Sequence, residues 1–339
     1  MTTAEFLATL RERDVRLWVD EGRLRCSAPA GALDNEMKAA LASRKNEIIA
    51  VLRRAEAIKG GPSAIIPLKP QGRRPPLFAV PGHNGDIFCY LELARHLDAD
   101  QPLLGIQPPG LDGSKPFRSI EELASYEVRQ IRQYRPQGPY LVAGYCAGGT
   151  VAFEIARQLT EQGQHVALLA LIGSSFPTLY RWRSRVVFRA GDLVARAQRH
   201  LRVLASNSLA EGTAYIKARA QMCRDERTAR TQESRNPLAR NRRRVEHATI
   251  TGIRKYRLRP YPGRIDLFLA SEAGREWGGL PHQWRSMASV LHEHVGSDDC
   301  GLDSMLKEPH VVTLATVLGP LLANAALRSE ATGLLAVKP

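Results

Sequence analysis

Between Leu77 and Ile172 the chain alternates short apolar runs with amphipathic stretches, and this alternation leaves few folds open. The runs LFAV (77–80), PLLGI (102–106), PYLVAG (139–144) and VALLALI (166–172) are continuously apolar, as strands covered on both faces are. Helical patterns lie between them, at 88–97, 119–134 and 150–163. A mainly parallel sheet with helices on both faces follows, an α/β architecture. A further strand, RIDLFLAS (264–271), and a last helix near 309–327 complete it, without internal repeats.

The 339 residues are 44% hydrophobic and 24% charged, enough for one large domain and a small accessory one. Residues 1–56 form the accessory unit. Phe6, Leu7 and Leu10 share a helical face, then Val15, Leu17 and Val19 alternate with Arg16 and Trp18 as a strand that Asp20-Glu21-Gly22 turns into a second. Asp34 N-caps a helix on which Met37, Leu41, Ile48 and Leu52 recur. This small α+β unit carries no catalytic constellation and reads as a binding module. The Pro-, Gly- and base-rich segment 57–76 reads as a linker, and the large domain as 77–330.

No run of about 18 apolar residues is present, and the N-terminal MTTAEFLATLRERD lacks the regions of a secretory signal. A soluble, cytoplasmic protein with no membrane partner is expected. Five cysteines (Cys26, Cys89, Cys146, Cys223 and Cys300) are scattered without a C-x-x-C pair, which argues for reduced thiols and against a disulfide framework or a metal site. The net charge of +14 is local: residues 181–260 hold 21 Lys/Arg against 6 Asp/Glu, while the rest holds 27 against 28. No base-reading motif or aromatic interleaving accompanies those arginines, so no nucleic-acid partner is expected.

Gly144-Tyr145-Cys146-Ala147-Gly148 has the spacing of a G-x-S-x-G nucleophile elbow with sulfur in place of oxygen, set between a strand and an amphipathic helix. Cys146 is therefore the expected nucleophile, exposed at a helix N-terminus that favours its thiolate. The backbone N–H groups of His83, in the turn PGHNGD, and of Ala147 are the expected oxyanion donors.

LFAVPGHNGDIFCYLELARHL, RPQGPYLVAGYCAGGTVAFEIARQL, YRLRPYPGRIDLFLASE and SMLKEPHV together resemble the thioesterase domains of non-ribosomal peptide and polyketide assembly lines, over about residues 64–330. The resemblance implies an α/β-hydrolase fold with a helical lid at about 176–258. FLATLRERDVRLWVDEGRLRCSAPAGALDNEMKAAL resembles TubC-type N-terminal docking domains, which implies capture of the C-terminal segment of an upstream synthase subunit, with Trp18 exposed on the hairpin. It also implies acyl or peptidyl carrier proteins as partners. The substrate would arrive on a carrier's phosphopantetheine, with no cofactor of the chain's own.

Two departures bear on the reaction. Where the resemblance places the triad acid, after the strand that follows the elbow helix, the chain reads Leu171-Ile172-Gly173-Ser174-Ser175. Where it places the base, VGSDDCGLDSML offers Asp298 or Leu302, depending on whether Gly296 or Met305 anchors the alignment. Replacement bases are His294, His310 or His83, and a replacement acid is Glu272. A thiol needs less activation than a hydroxyl, so the expectation is a trans-acting acyltransferase or thioesterase that favours transfer or ring closure over hydrolysis. The alternative is a catalytically silent scaffold that docks to a synthase.

Overall fold

The computed structural model describes residues 6, 9–10, 13, 15–20, 23–28, 33–49, 64–180, 237–272 and 281–335. Leu7, Leu52, Cys223 and most of the expected lid, 181–236, lie outside them. In the N-terminal unit β1 (Arg16–Asp20) and β2 (Arg23–Ser27) form an antiparallel hairpin in which Trp18 stands opposite Arg25. The expected exposure of the Trp18 side chain falls outside the described residues. Helix α1 (Asn35–Ser43) is capped by Asp34, whose carboxylate accepts from Met37 N at 2.8 Å. Phe6, Leu10, Val15, Met37, Leu41 and Ile48 close a small core of their own.

The larger unit is a seven-stranded sheet in the order β3-β5-β4-β6-β7-β8-β9. Its strands are β3 (Ile65–Lys69), β4 (Leu77–Val80), β5 (Leu103–Ile106), β6 (Tyr140–Tyr145), β7 (Val166–Ile172), β8 (Tyr261–Leu269) and β9 (Ala288–Val295). All pairings are parallel except β3 with β5. The four apolar runs of the sequence are β5, β4, β6 and β7, four of the five inner strands, whose residues are almost all buried.

The two edges differ from the sequence reading. Strand β3 lies inside the segment expected to be linker; its Pro67 sits at a register shift on an edge, where a missing N–H breaks no central ladder. Strand β9, ASVLHEHV, is half-exposed, with Val290 and Val295 at 45% and 39% accessibility, so it shows no continuous apolar run.

Helices cover both faces. On one lie α3 (Ile120–Tyr134), α4 (Gly148–Glu161) and α5 (Pro237–Lys255), and on the other α2 (Leu91–His96) and α7 (His310–Leu335), with α6 (Pro281–Arg285) beside β9. Helix α7 is long and apolar enough to cross a membrane by composition, but Val311, Leu314, Leu318 and Leu322 bury one side of it in the core. Helix α5 is tied to α4 by a buried network: Tyr256 Oη donates to Glu154 Oε2 at 2.6 Å, and Arg157 forms two hydrogen bonds with the same carboxylate at 2.6 and 2.7 Å.

One buried group opposes folding. Glu127, on α3, has no accessible surface and neither carboxylate oxygen has a partner. Burial pushes its pKa well above the ordinary value, so the folded chain holds it protonated. A carboxyl raised in the folded state stabilises fully below the unfolded pKa and loses that contribution as pH rises toward the folded one. Glu127→Leu is expected to raise the stability at pH 7–8 by about 1–3 kcal/mol, with the gain shrinking as pH falls toward 4.5, as thermal denaturation across that range would record.

Candidate active site

Strand β6 delivers Cys146 to the carboxyl edge of the sheet between β4 and β7. Cys146 has φ 52°, and it is the one non-glycine residue with positive φ among the described residues. That conformation costs about 1–2 kcal/mol, and hydrogen bonds hold it: Cys146 N donates to Ile172 O at 2.9 Å, and Gly149 N donates to Cys146 O at 3.1 Å. Gly148 is required by close approach, because a methyl there would collide with the Pro81 carbonyl. The turn after β4 therefore rests on the elbow, with the Cβ position of Gly82 only 3.8 Å from Cys146 Cβ. His83 follows in that turn, and its ring faces Glu246 at 3.7 Å.

The Ala147 N–H and the Tyr180 hydroxyl lie close enough to the Cys146 sulfur to favour its charged form. Tyr180 ends the short helix Pro177–Tyr180, and Arg254 of α5 holds its carbonyl at 3.0 Å. Burial raises the Cys146 thiol above its ordinary value, the Ala147 N–H and Tyr180 hydroxyl pull it down, and the Asp303 carboxylate pushes it up. The net direction is upward. This corrects the expected thiolate: desolvation outweighs the helix N-terminus.

Gly173, where the resemblance places the acid, meets Leu302, one of the two positions it offers for the base. A Cβ on Gly173 would stand 3.2 Å from Leu302 Cδ2 and 2.9 Å from Met305 Sδ. Leu302 is fixed there by Tyr145, whose hydroxyl donates to Leu302 O at 2.5 Å. An acid at 173 and a base at 302 would face each other; this chain fills the place with hydrogen and an isobutyl group.

The replacement histidines lie elsewhere. Tyr145, Ile172, Phe268 and His294 stand in register across β6, β7, β8 and β9. Three strand spacings separate the ends of that row, about 14 Å. His294 Nε2 pairs with Asp266 Oδ1 at 3.0 Å, and Arg264 binds the same carboxylate at 2.6 and 2.9 Å. Burial pushes the Asp266 carboxyl up, but His294 and Arg264 hold it below the ordinary value. His310, at the start of α7, lies 3.4 Å from Ser297 Oγ, and both histidines line a cavity with Phe268, Ser297 and Cys300. Glu272 is exposed just past β8. The structure thus sets Ala147 and, through Gly82, the turn that carries His83 beside Cys146, but groups His294 and His310 around a cavity whose lining does not include Cys146. Tyr180 and Asp303 were missed because each is far from the elbow in sequence and neither belongs to a motif.

The sequence profile of the thioesterase domain matches residues 75–289. The chain belongs to the thioesterase domain family. Residues 4–54 match the TubC N-terminal docking domain. Malpinin synthetase of Mortierella alpina is 45% identical over 118 residues, which are 34% of this chain and 2% of that protein. Indigoidine synthase of Dickeya dadantii is 37% identical over 131 residues, 38% of this chain and 9% of that one. The chain therefore spans only a small part of the length of these relatives. Among solved structures, the NocB thioesterase domain from the nocardicin cluster is 20% identical, with a TM-score of 0.53 over 77% of this chain and 99% of its own. A four-domain non-ribosomal peptide synthetase bound to AMP and glycine is 24% identical, with a TM-score of 0.56 over 79% and 21%. At these identities the structural likeness shows the fold, the α/β-hydrolase fold of the thioesterase domain.

A raised thiol predicts slow alkylation. Iodoacetamide should modify Cys146 more slowly than a free cysteine at pH 7, with a rate rising about tenfold per pH unit to pH 8 and beyond. Tyr180→Phe removes a hydroxyl that favours the charged sulfur and should slow the reaction further, read by peptide mass spectrometry. A rate that levels off below pH 8 would contradict the burial argument.

Proposed function

We propose that this thioesterase-family protein is a docked acyltransferase that takes an acyl or aminoacyl group from a carrier-borne phosphopantetheine thioester onto Cys146. In the first step Cys146 Sγ bonds to the acyl carbon, the bond from that carbon to the pantetheine sulfur breaks, and the thiol proton passes to the departing pantetheine thiolate. One thioester replaces another, so the step is nearly neutral in free energy and reversible. The acyl group then leaves to a second carrier thiol, an amine or an internal nucleophile, by the same addition and expulsion.

The observation that carries this reading is the pairing of a nucleophile elbow bearing sulfur with Gly173 and Leu302 where acid and base would face each other. Water is a poor nucleophile without a general base, whereas a thiol or amine acceptor needs less help. The Ala147 N–H and the backbone of the turn at His83 supply the oxyanion donors in this scheme. The TubC-type module would capture the C-terminal segment of an upstream synthase subunit, with Trp18 as a contact. Such tethering raises the effective concentration of a protein acting in trans in the cytoplasm.

A second reading, a silent scaffold that docks to a synthase, is favoured by the same lost triad and by the raised thiol. Incubation with an acylated carrier separates the two. The acyltransferase leaves an acyl mass adduct on the Cys146 peptide, absent in Cys146→Ala; no adduct, with Cys146→Ala fully competent in the pathway, selects the scaffold. Leu302→His should also shift the fate of the adduct toward hydrolysis, because the side chain at 302 is exposed enough, at 42% accessibility, to accept the ring. An unchanged ratio of free acid to transfer product would count against the role given to Leu302.

A further inference from the structure

We infer that α2 is the seat on which the chain's own N-terminal unit rests, and that the seated unit steadies the turn beside Cys146; this holds whichever reaction Cys146 performs. Two contacts make the seat. Leu91, the first residue of α2, packs against the small core of the N-terminal unit and also against the core shared by α2, α7 and the sheet. Arg95, one turn further on, spans the same junction: its Nη2 donates to Glu47 Oε1 of the N-terminal unit at 2.8 Å, and its Nη1 donates to the buried Glu92 at 3.1 Å. Residues four apart share one face of a helix, so Leu91 and Arg95 offer an apolar contact and a charge side by side. Glu47 precedes Ile48, which is fully buried in the N-terminal core, so the surface that meets them pairs the same two features.

The far end of α2 is anchored. Lys69 of β3 donates to Leu97 O at 2.8 Å and to Asp98 O at 2.7 Å, and His96 Nε2 pairs with Glu308 Oε1 at 3.0 Å just before α7.

The near end is continuous with the site. The short helix Ile87–Tyr90 joins α2 directly to the turn 81–86. Asp86 caps that helix by accepting from Phe88 N at 3.1 Å, and Tyr90 Oη donates to Val80 O at 2.7 Å, which closes the segment onto the end of β4. Gly85 N donates to Gly82 O at 3.0 Å, and the Cβ position of Gly82 stands 3.8 Å from Cys146 Cβ. With Leu97 and Asp98 pinned, a load placed on Leu91 and Arg95 is taken up towards the turn. A unit seated on α2 restrains the backbone that borders the sulfur, and a unit that lifts off releases it.

The test uses the full chain. Arg95→Lys keeps the cation and sets an amine against Glu47, so a water-soluble carbodiimide should join the two side chains within one monomer, seen as a cross-linked peptide pair by mass spectrometry. Glu47→Lys sets two cations against each other and should lift the unit off while leaving α2 unaltered. Alkylation of Cys146 by iodoacetamide reads the effect at the site: Glu47→Lys should speed it at least about fivefold, and the cross-linked Arg95→Lys chain should react more slowly than the same chain before cross-linking. Failure of Glu47 to cross-link in monomeric Arg95→Lys would overturn the seat. A Cys146 rate unchanged by both release and locking would overturn the link to the turn. Since alkylation needs neither a carrier nor an acyl group, failure of the seat and failure of acylation at Cys146 are read separately.

Discussion

A strained residue at the end of β6 organises this molecule. Cys146 leaves the strand at positive φ, and the chain turns at once into α4, so three segments must press against one point: the end of β7 through Ile172, the start of α4 through Gly149, and the turn after β4 through Pro81. Each contact requires a small residue or a backbone group. The flat burial of β4, β5, β6 and β7 supplies the rigidity that holds the strain.

Beside that point Leu302 and Met305 pack against Gly173, and Tyr145 fastens the backbone of Leu302. Two polar groups, the Ala147 N–H and the Tyr180 hydroxyl, favour the charged form of the Cys146 sulfur against the desolvation that opposes it.

The sequence disclosed the inner sheet almost residue by residue, because strands buried on both faces must be continuously apolar; VALLALI is β7 from end to end. It concealed the edges, where β3 carries a proline and β9 mixes histidine, glutamate and valine on a half-exposed surface. The elbow was legible because its turn demands a local spacing of small residues. Tyr180 was not, since 34 positions separate it from Cys146 and only the fold joins them. The surroundings of His294 were likewise invisible in the sequence: it stands on β9, three strands from the elbow strand, and pairs with Asp266 of β8. The upward push on the Cys146 thiol also escaped local reasoning, because a helix terminus is visible in a sequence and the burial of a side chain by distant segments is not.

The shared carboxylate of Glu154 has a geometric consequence. It receives Tyr256, the residue that follows α5, and Arg157 from α4, so these two helices are bolted together inside the protein. Arg254 near the end of α5 in turn holds the Tyr180 carbonyl. A loosening of this one carboxylate would therefore be felt at both ends of the site, at the turn that carries Cys146 and at the short helix that ends in Tyr180.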